Sequence, residues 1–218
     1  MAYIFSSAVD LRHNLKYEFV GGDVSLAIDA LFHDGHVLRG YRLRDCLGYC
    51  IPIPDVLMKA VPRRIVVTPC KDGFVPDFGY AADYGCYVVS NRFVEILERL
   101  EPGVHQFLEI PECVTKSGQP LAFRFFLLNI RTRLSAIDVE KSFVHWLPSG
   151  ADWNYLQFKP GPGNLHKLVL KKSVIEGHHL WNGSREQFAT YTFCSEVLRV
   201  AMSGAGLSEM RFRWCDES

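Results

Sequence analysis

The spacing of apolar positions changes period along this chain, and each change marks an element. The pattern is sharpest from Cys86 onward. Tyr87-Val88-Val89 is a β-favouring apolar run that predicts a buried strand. Ser90 follows, and its hydroxyl can accept an orphan backbone N–H at a helix start. Phe93, Ile96, Leu97 and Leu100 then fall at offsets 0, 3, 4 and 7, one stripe of a helix, with Glu95 and Arg99 paired on the wet side. Pro102-Gly103 ends it, and His105 to Ile110 predicts the next strand. Leu121 to Ile130 predicts a long aromatic strand, with Phe123, Phe125 and Phe126 in the core.

The C-terminus repeats this plan. Tyr191 to Cys194 predicts a strand and Ser195 a cap. Leu198, Ala201 and Met202 form a helical stripe, Gly204 and Gly206 end it, and Met210 to Trp214 predicts a strand. Apolar residues stand three, six and seven positions after each serine, and Phe107 and Phe212 each stand seventeen after it. Two strand–helix–strand repeats account for this, although generic patterning produces such units too. Between them, Tyr155 to Phe158, His166 to Leu170 and His179 to Trp181 read as short strands.

The N-terminal third is less regular. Tyr3 to Ser6 and Lys16 to Val20 predict short strands joined through a turn at Gly21-Gly22, and Ser25 to Phe32 fits helix or strand. Five prolines between 52 and 76 make residues 50–80 connecting loops around a strand at Ile65 to Thr68. The expectation is an α+β fold: a mixed sheet with at least two packed helices, near 92–101 and 196–204. Residues 1–76 form an N-terminal region of unclear organisation packed on an α+β domain of 77–218.

Charge narrows the function classes. Lys plus Arg number 24 and Asp plus Glu 24. The balance is also local, with 9 basic and 9 acidic residues over 1–79, 8 and 9 over 80–159, and 7 and 6 over 160–218. Neither a basic footprint for nucleic acid nor an acidic imitation of it is present. No apolar run approaches the roughly 18 residues of a membrane span, and the first residues lack a signal-peptide pattern. Seven cysteines, an odd number, are scattered through the chain and read as reduced thiols of a cytoplasmic protein.

Chemistry-bearing patterns are sparse. The phosphate-loop, serine-hydrolase and zinc-protease motifs are missing from the sequence. His33 and His36 with Cys46 and Cys50 are two ligand pairs close enough in sequence to meet, but no zinc-finger pattern flanks them, so no metal and no cofactor are expected. His178-His179 with Cys194 has the residue types of a nucleophile and base, without a third group to orient the base. Trp146, Trp153 and Tyr155 sit beside Pro148, Ser149 and Gly150. Loop aromatics of this kind either anchor a protein interface or close over a sheet edge as core.

Four segments between about 77 and 214 resemble the immunity-protein family of bacterial polymorphic-toxin systems, the myxobacterial-type domain. They are Val88-Val89-Ser90-Asn91-Arg92-Phe93, Ile137-Asp138-Val139-Glu140-Lys141-Ser142, His178-His179-Leu180-Trp181, and Phe193-Cys194-Ser195-Glu196-Val197-Leu198 running on to Phe212. Ser208-Glu209 departs from the small pair the family often has there. The resemblance implies a protein that binds and neutralises a cognate toxin without catalysis. It marks Ser90, Asp138, Ser142, Trp181 and Ser195 as motif residues, and helix capping and turn closure give these a structural reading. The toxin-facing anchors are then sought among Trp146, Trp153 and Tyr155. The alternatives are a hydrolase using Cys194 with His178 or His179, and a scaffold module of a secretion system.

Overall fold

The computed structural model describes residues 1–7, 16–23, 25–28, 31–33, 36–68, 75–81, 84–148, 154–158, 167–184, 191–207 and 210–218. In chain order these give β1 (Ala2–Ser7), β2 (Lys16–Val20), β3 (Ala27–Ile28), β4 (Leu31–His33), β5 (His36–Leu38) and β6 (Tyr41–Arg42). Then come α1 (Leu43–Tyr49), a 3₁₀ turn at Asp55–Ala60, β7 (Arg64–Thr68), β8 (Phe78–Ala81), β9 (Cys86–Ser90), α2 (Asn91–Leu100), β10 (Gln106–Ile110), β11 (Glu112–Thr115) and β12 (Phe125–Asn129). The remainder is β13 (Arg133–Leu134), β14 (Val144–Pro148), β15 (Asn154–Phe158), β16 (Val169–Leu170), α3 (Lys172–Ile175), β17 (Leu180–Gly183), β18 (Thr192–Ser195), α4 (Glu196–Gly204) and β19 (Met210–Glu217). The fold is mixed α+β, and both striped helices stand where the sequence puts them.

The chain divides into two compact units. The central unit comprises Ser7–Arg131 and Ala205–Met210, and the terminal unit Met1–Ser6, Thr132–Gly204 and Arg211–Ser218.

In the central unit a four-stranded sheet runs β10-β12-β9-β8, with every neighbouring pair antiparallel. Phe93, Ile96 and Leu97 bury the apolar stripe of α2, at about 1.5–3 kcal/mol each. Phe93 meets Phe78 of the sheet at 5.5 Å between ring centroids. A cluster including Val88, Leu108, Ile110, Phe125 and Leu127 packs with Leu43, Cys46 and Leu47 of α1. A second sheet of β11-β7-β2 contributes Ile65 and Val67 to that cluster.

In the terminal unit the sheet runs β13-β17-β18-β1-β19-β16. Leu198 and Met202 of α4 are buried. A cluster including Ala2, Ile4, Trp181, Phe193 and Cys215 packs with Leu170 and Ile175.

The inner four strands of this sheet repeat the central one. β19-β1-β18-β17 corresponds to β10-β12-β9-β8, and the fastening bonds correspond one for one. Ser90 N–H donates to the Asp77 carbonyl at 2.9 Å, and Ser195 N–H to the His179 carbonyl at 3.0 Å. Asn91 N–H donates to Arg124 O at 2.9 Å, and Glu196 N–H to Met1 O at 2.8 Å. Ser90 stands opposite Phe125, the first residue of β12, and Ser195 opposite Ala2, the first of β1. Phe107 pairs with Leu128, and its counterpart Phe212 stacks on Phe5, the residue of β1 that corresponds to Leu128. The repeat is therefore one of topology and register. One strand of the second copy, β1, comes from the start of the chain.

Several elements differ from the sequence expectation. The predicted long strand begins only at Phe125, because Leu121 N–H turns away to Cys113 O at 2.9 Å. Phe123 packs against the core cluster from its margin, partly buried, with the Arg92 guanidinium 5.7 Å from its ring centroid. His105 precedes its strand as a buried polar residue. The proline-rich stretch holds the 3₁₀ turn and β8 as well as β7. Ser25 to Phe32 contains strand, not helix, at its described elements.

Candidate functional site

Both repeat serines sit at the step from strand to helix, where chain direction leaves backbone N–H groups unpaired. Ser90 Oγ accepts from Phe93 N–H at 3.4 Å, and Ser195 Oγ from Leu198 N–H at 3.2 Å. Each hydroxyl has a further partner from the residue just before the adjoining strand. Ser90 Oγ–H donates to Asp77 Oδ1 at 2.5 Å, whereas Ser195 Oγ lies 2.8 Å from His179 Nδ1. Asp77 also holds Arg92 at 3.3 Å. The contact that resembles a Ser–His dyad thus occupies the same place as a plain Ser–Asp fastening.

A cleft of about 180 Å³ adjoins His179 and Ser195, with Lys172, Glu176, His178 and Trp181 also on its wall. Trp181 is buried, stacked at 11° on Phe193, and belongs to the terminal unit's core.

Cys194 is not paired with either histidine in this geometry. Successive strand residues face opposite sides. His179 meets Ser195, so Cys194 faces away, fully buried. Burial pushes its thiol well above the ordinary range. The same cause raises Cys46 to about 11 and Cys215 to about 12, and raises Cys86 further. These thiols stay protonated at neutral pH, and it is the thiolate that attacks or ligates.

His33 and His36 lie opposite each other across β4 and β5. Cys46 sits in the core on α1, and Cys50 closes that helix in the left-handed region at φ 59°. Among the described residues no three His, Cys, Asp or Glu side chains gather as a metal site would require.

Asp138 and Ser142 tie one turn to its surroundings. Ser142 Oγ accepts from Val169 N–H at 2.9 Å and donates to Val169 O at 3.3 Å. Asp138 accepts from the Ser218 hydroxyl at 2.9 Å and from Lys141 N–H, which together hold its carboxyl below the usual range.

Trp146 lies on β14, directly opposite Leu156 of β15. It shares a face with buried Val144 and Leu156, yet remains 43% exposed. It is a rim residue, half packed and half offered to solvent. Trp153 lies outside the described residues, and so does the side chain of Tyr155, whose backbone pairs with Leu147. Trp214, at 56%, is the other exposed tryptophan among the described residues.

Sequence reading missed three polar features. Asp77 carries no motif, and only the fold brings it to Ser90. The Glu196 carboxyl is held down to about 2, chiefly by hydrogen bonds from Arg199, which also stacks on Tyr3 at 5.2 Å; an i,i+3 pair on the helix was the available signal. His105 Nε2 lies 2.9 Å from Glu101, while His105 Nδ1 accepts Arg131 N–H at 3.2 Å. That acceptor role places the ring proton on Nε2, which donates to Glu101.

Among the described residues no helix is long and apolar enough to cross a membrane. No curated protein matches the chain. The family model described as "Immunity protein family (Imm11)" matches residues 41–217, which reaches further toward the N-terminus than the resemblance read from residue 77. With the match running through the first repeat, the Asp138–Ser142 turn and all of the second repeat but β1, this chain belongs to the Imm11 immunity protein family.

Proposed function

We propose that the protein protects a bacterial cell by binding one cognate toxin and holding it inactive, one molecule to one, with no reaction of its own. Family membership over residues 41–217 carries this reading. The chemistry of the cysteines supports it, since burial holds the thiol of Cys194 in its unreactive form. On this reading Trp146, Trp153 and Tyr155 are the anchors of an interface of about 1,200–2,000 Å². Balanced charge fits a partner recognised by shape and main chain more than by long-range attraction.

The test is co-expression with the product of the neighbouring gene, the candidate toxin. Cells carrying both genes survive, and the two proteins co-purify in equal amounts. Survival without any stable complex would refute the binding mechanism.

A further inference from the structure

We infer that the outer edge of β8 in the central unit receives an extended segment of the toxin as an added parallel strand. The inference rests on the binding function proposed above and adds a main-chain contact to it.

The argument comes from the internal repeat. β17 in the terminal unit and β8 in the central unit occupy the same place, each the last strand of the repeated four. The register of their hydrogen bonds fixes which main-chain groups point outward. Asp77 and His179 bond inward to Ser90 and Ser195, and alternate residues follow them. Gly79 and Ala81 therefore bond to β9, and Tyr80, opposite Tyr87, turns its N–H and C=O away. The residue of β17 in the same place is Asn182.

In the terminal unit this outward row is used. β13 runs parallel to β17, with Arg133 opposite Asn182. Asn182 N–H donates to Thr132 O at 3.0 Å, and Ser184 N–H to Leu134 O at 3.0 Å. The repeated frame is thus able to carry a parallel strand at this edge, and the chain itself supplies one. In the central unit β8 ends its sheet. Among the described residues nothing bonds the outward groups of Tyr80, and Tyr80 is 54% exposed.

An open edge with paired donor and acceptor is a template for another backbone. Its side chains add apolar contact: Tyr80 stands edge-on to Tyr87 at 5.6 Å, and Tyr87 lies 4.5 Å from Phe78. The edge carries no charged side chain over Phe78–Ala81, so it selects an extended, uncharged segment rather than an acidic or basic one.

Proline at position 80 is the discriminating change. It removes the outward N–H and leaves the bonds between β8 and β9 intact, because proline is tolerated on an edge strand where its nitrogen faces outward. We expect Tyr80→Pro to weaken binding of the purified toxin domain from the neighbouring gene at least about tenfold. Tyr80→Ala keeps the N–H and retains affinity within about threefold, the part owed to the ring. In the unmodified protein, hydrogen exchange of the Tyr80 amide slows on adding the toxin, a readout that needs no variant to fold. A toxin that binds tightly but leaves the Tyr80 amide exchanging as before overturns the edge assignment and leaves the binding function standing. A toxin that does not bind at all overturns both. Protection of Tyr80 in the free protein, growing with its own concentration, would make a second copy of this chain the occupant and reject the toxin strand.

Discussion

At Gly79 the central unit has no room for an added atom. A Cβ built there would stand 2.0 Å from Tyr17 Oη and 2.8 Å from both Cε2 and Cζ of the same ring. Tyr17 has little freedom to retreat. Its backbone is paired with Val67 across β2 and β7, its ring packs on the core cluster, and its hydroxyl is buried. Gly79→Ala should therefore cost about 1–3 kcal/mol, the usual penalty of overpacking. At about 2–4 °C per kcal/mol for a chain of this size, the melting temperature falls by about 2–12 °C. The cause can be isolated by a double-mutant cycle followed by urea denaturation. Tyr17→Leu removes all three clashing atoms. In that background Gly79→Ala loses its steric cost and keeps only the benefit of a stiffer unfolded chain, about 0.4–1 kcal/mol. The substitution should change sign, from destabilising to stabilising. An equal cost in both backgrounds, within about 0.5 kcal/mol, would show that the ring is not what requires glycine.

Trp146→Ala should leave the melting temperature nearly unchanged and weaken toxin binding by about 2 kcal/mol, measured by calorimetry. Trp181→Ala should cost about 3–5 kcal/mol of stability, because its ring is core, and lower the soluble yield. Ser195→Ala removes a cap and should cost about 1 kcal/mol in thermal melts while toxin affinity is kept; loss of affinity at unchanged stability would make that serine a contact residue. Because Arg199 holds the Glu196 carboxyl at about 2, its contribution is present above the ordinary carboxylate pKa and is lost as pH falls from about 4.5 to about 2. Arg199→Gln should raise the Glu196 midpoint in an NMR titration toward the ordinary value; an unmoved midpoint would rule out the pairing.

The helices α2 and α4 were legible because a 3.6-residue stripe, a serine cap and a Gly or Pro stop all agree there. β18 and β19 were legible for the same reason, being tied in sequence to a helix with clear ends. α1 was hidden by its brevity and its start. Its N-cap is Arg42, and the start is fastened from within by Asp45, which accepts Arg42 N–H at 2.9 Å. β13 and β16 are two residues each, too short for any period to register, and exist because a neighbouring strand offers its edge. The Asp77–Ser90 and His179–Ser195 fastenings join residues 13 and 16 positions apart, so neither could be seen before the strands were paired. Ser90 and Ser195 were visible as caps, and their second partners were not. The exposed edge at Tyr80 was invisible in principle. The residue types of β8 state only that it is a strand, and the side left unpaired among the described residues appears once its sheet order is compared with that of the repeat.

The central claim is that protection comes from occupancy, and a titration tests it most directly. Purified protein is added to a fixed amount of the purified cognate toxin, well above the dissociation constant, and residual toxin activity is followed. Occupancy predicts a straight decline that reaches zero at one equivalent, with the complex eluting as a one-to-one species. Complete protection by a small fraction of an equivalent would mean turnover, and would contradict the account.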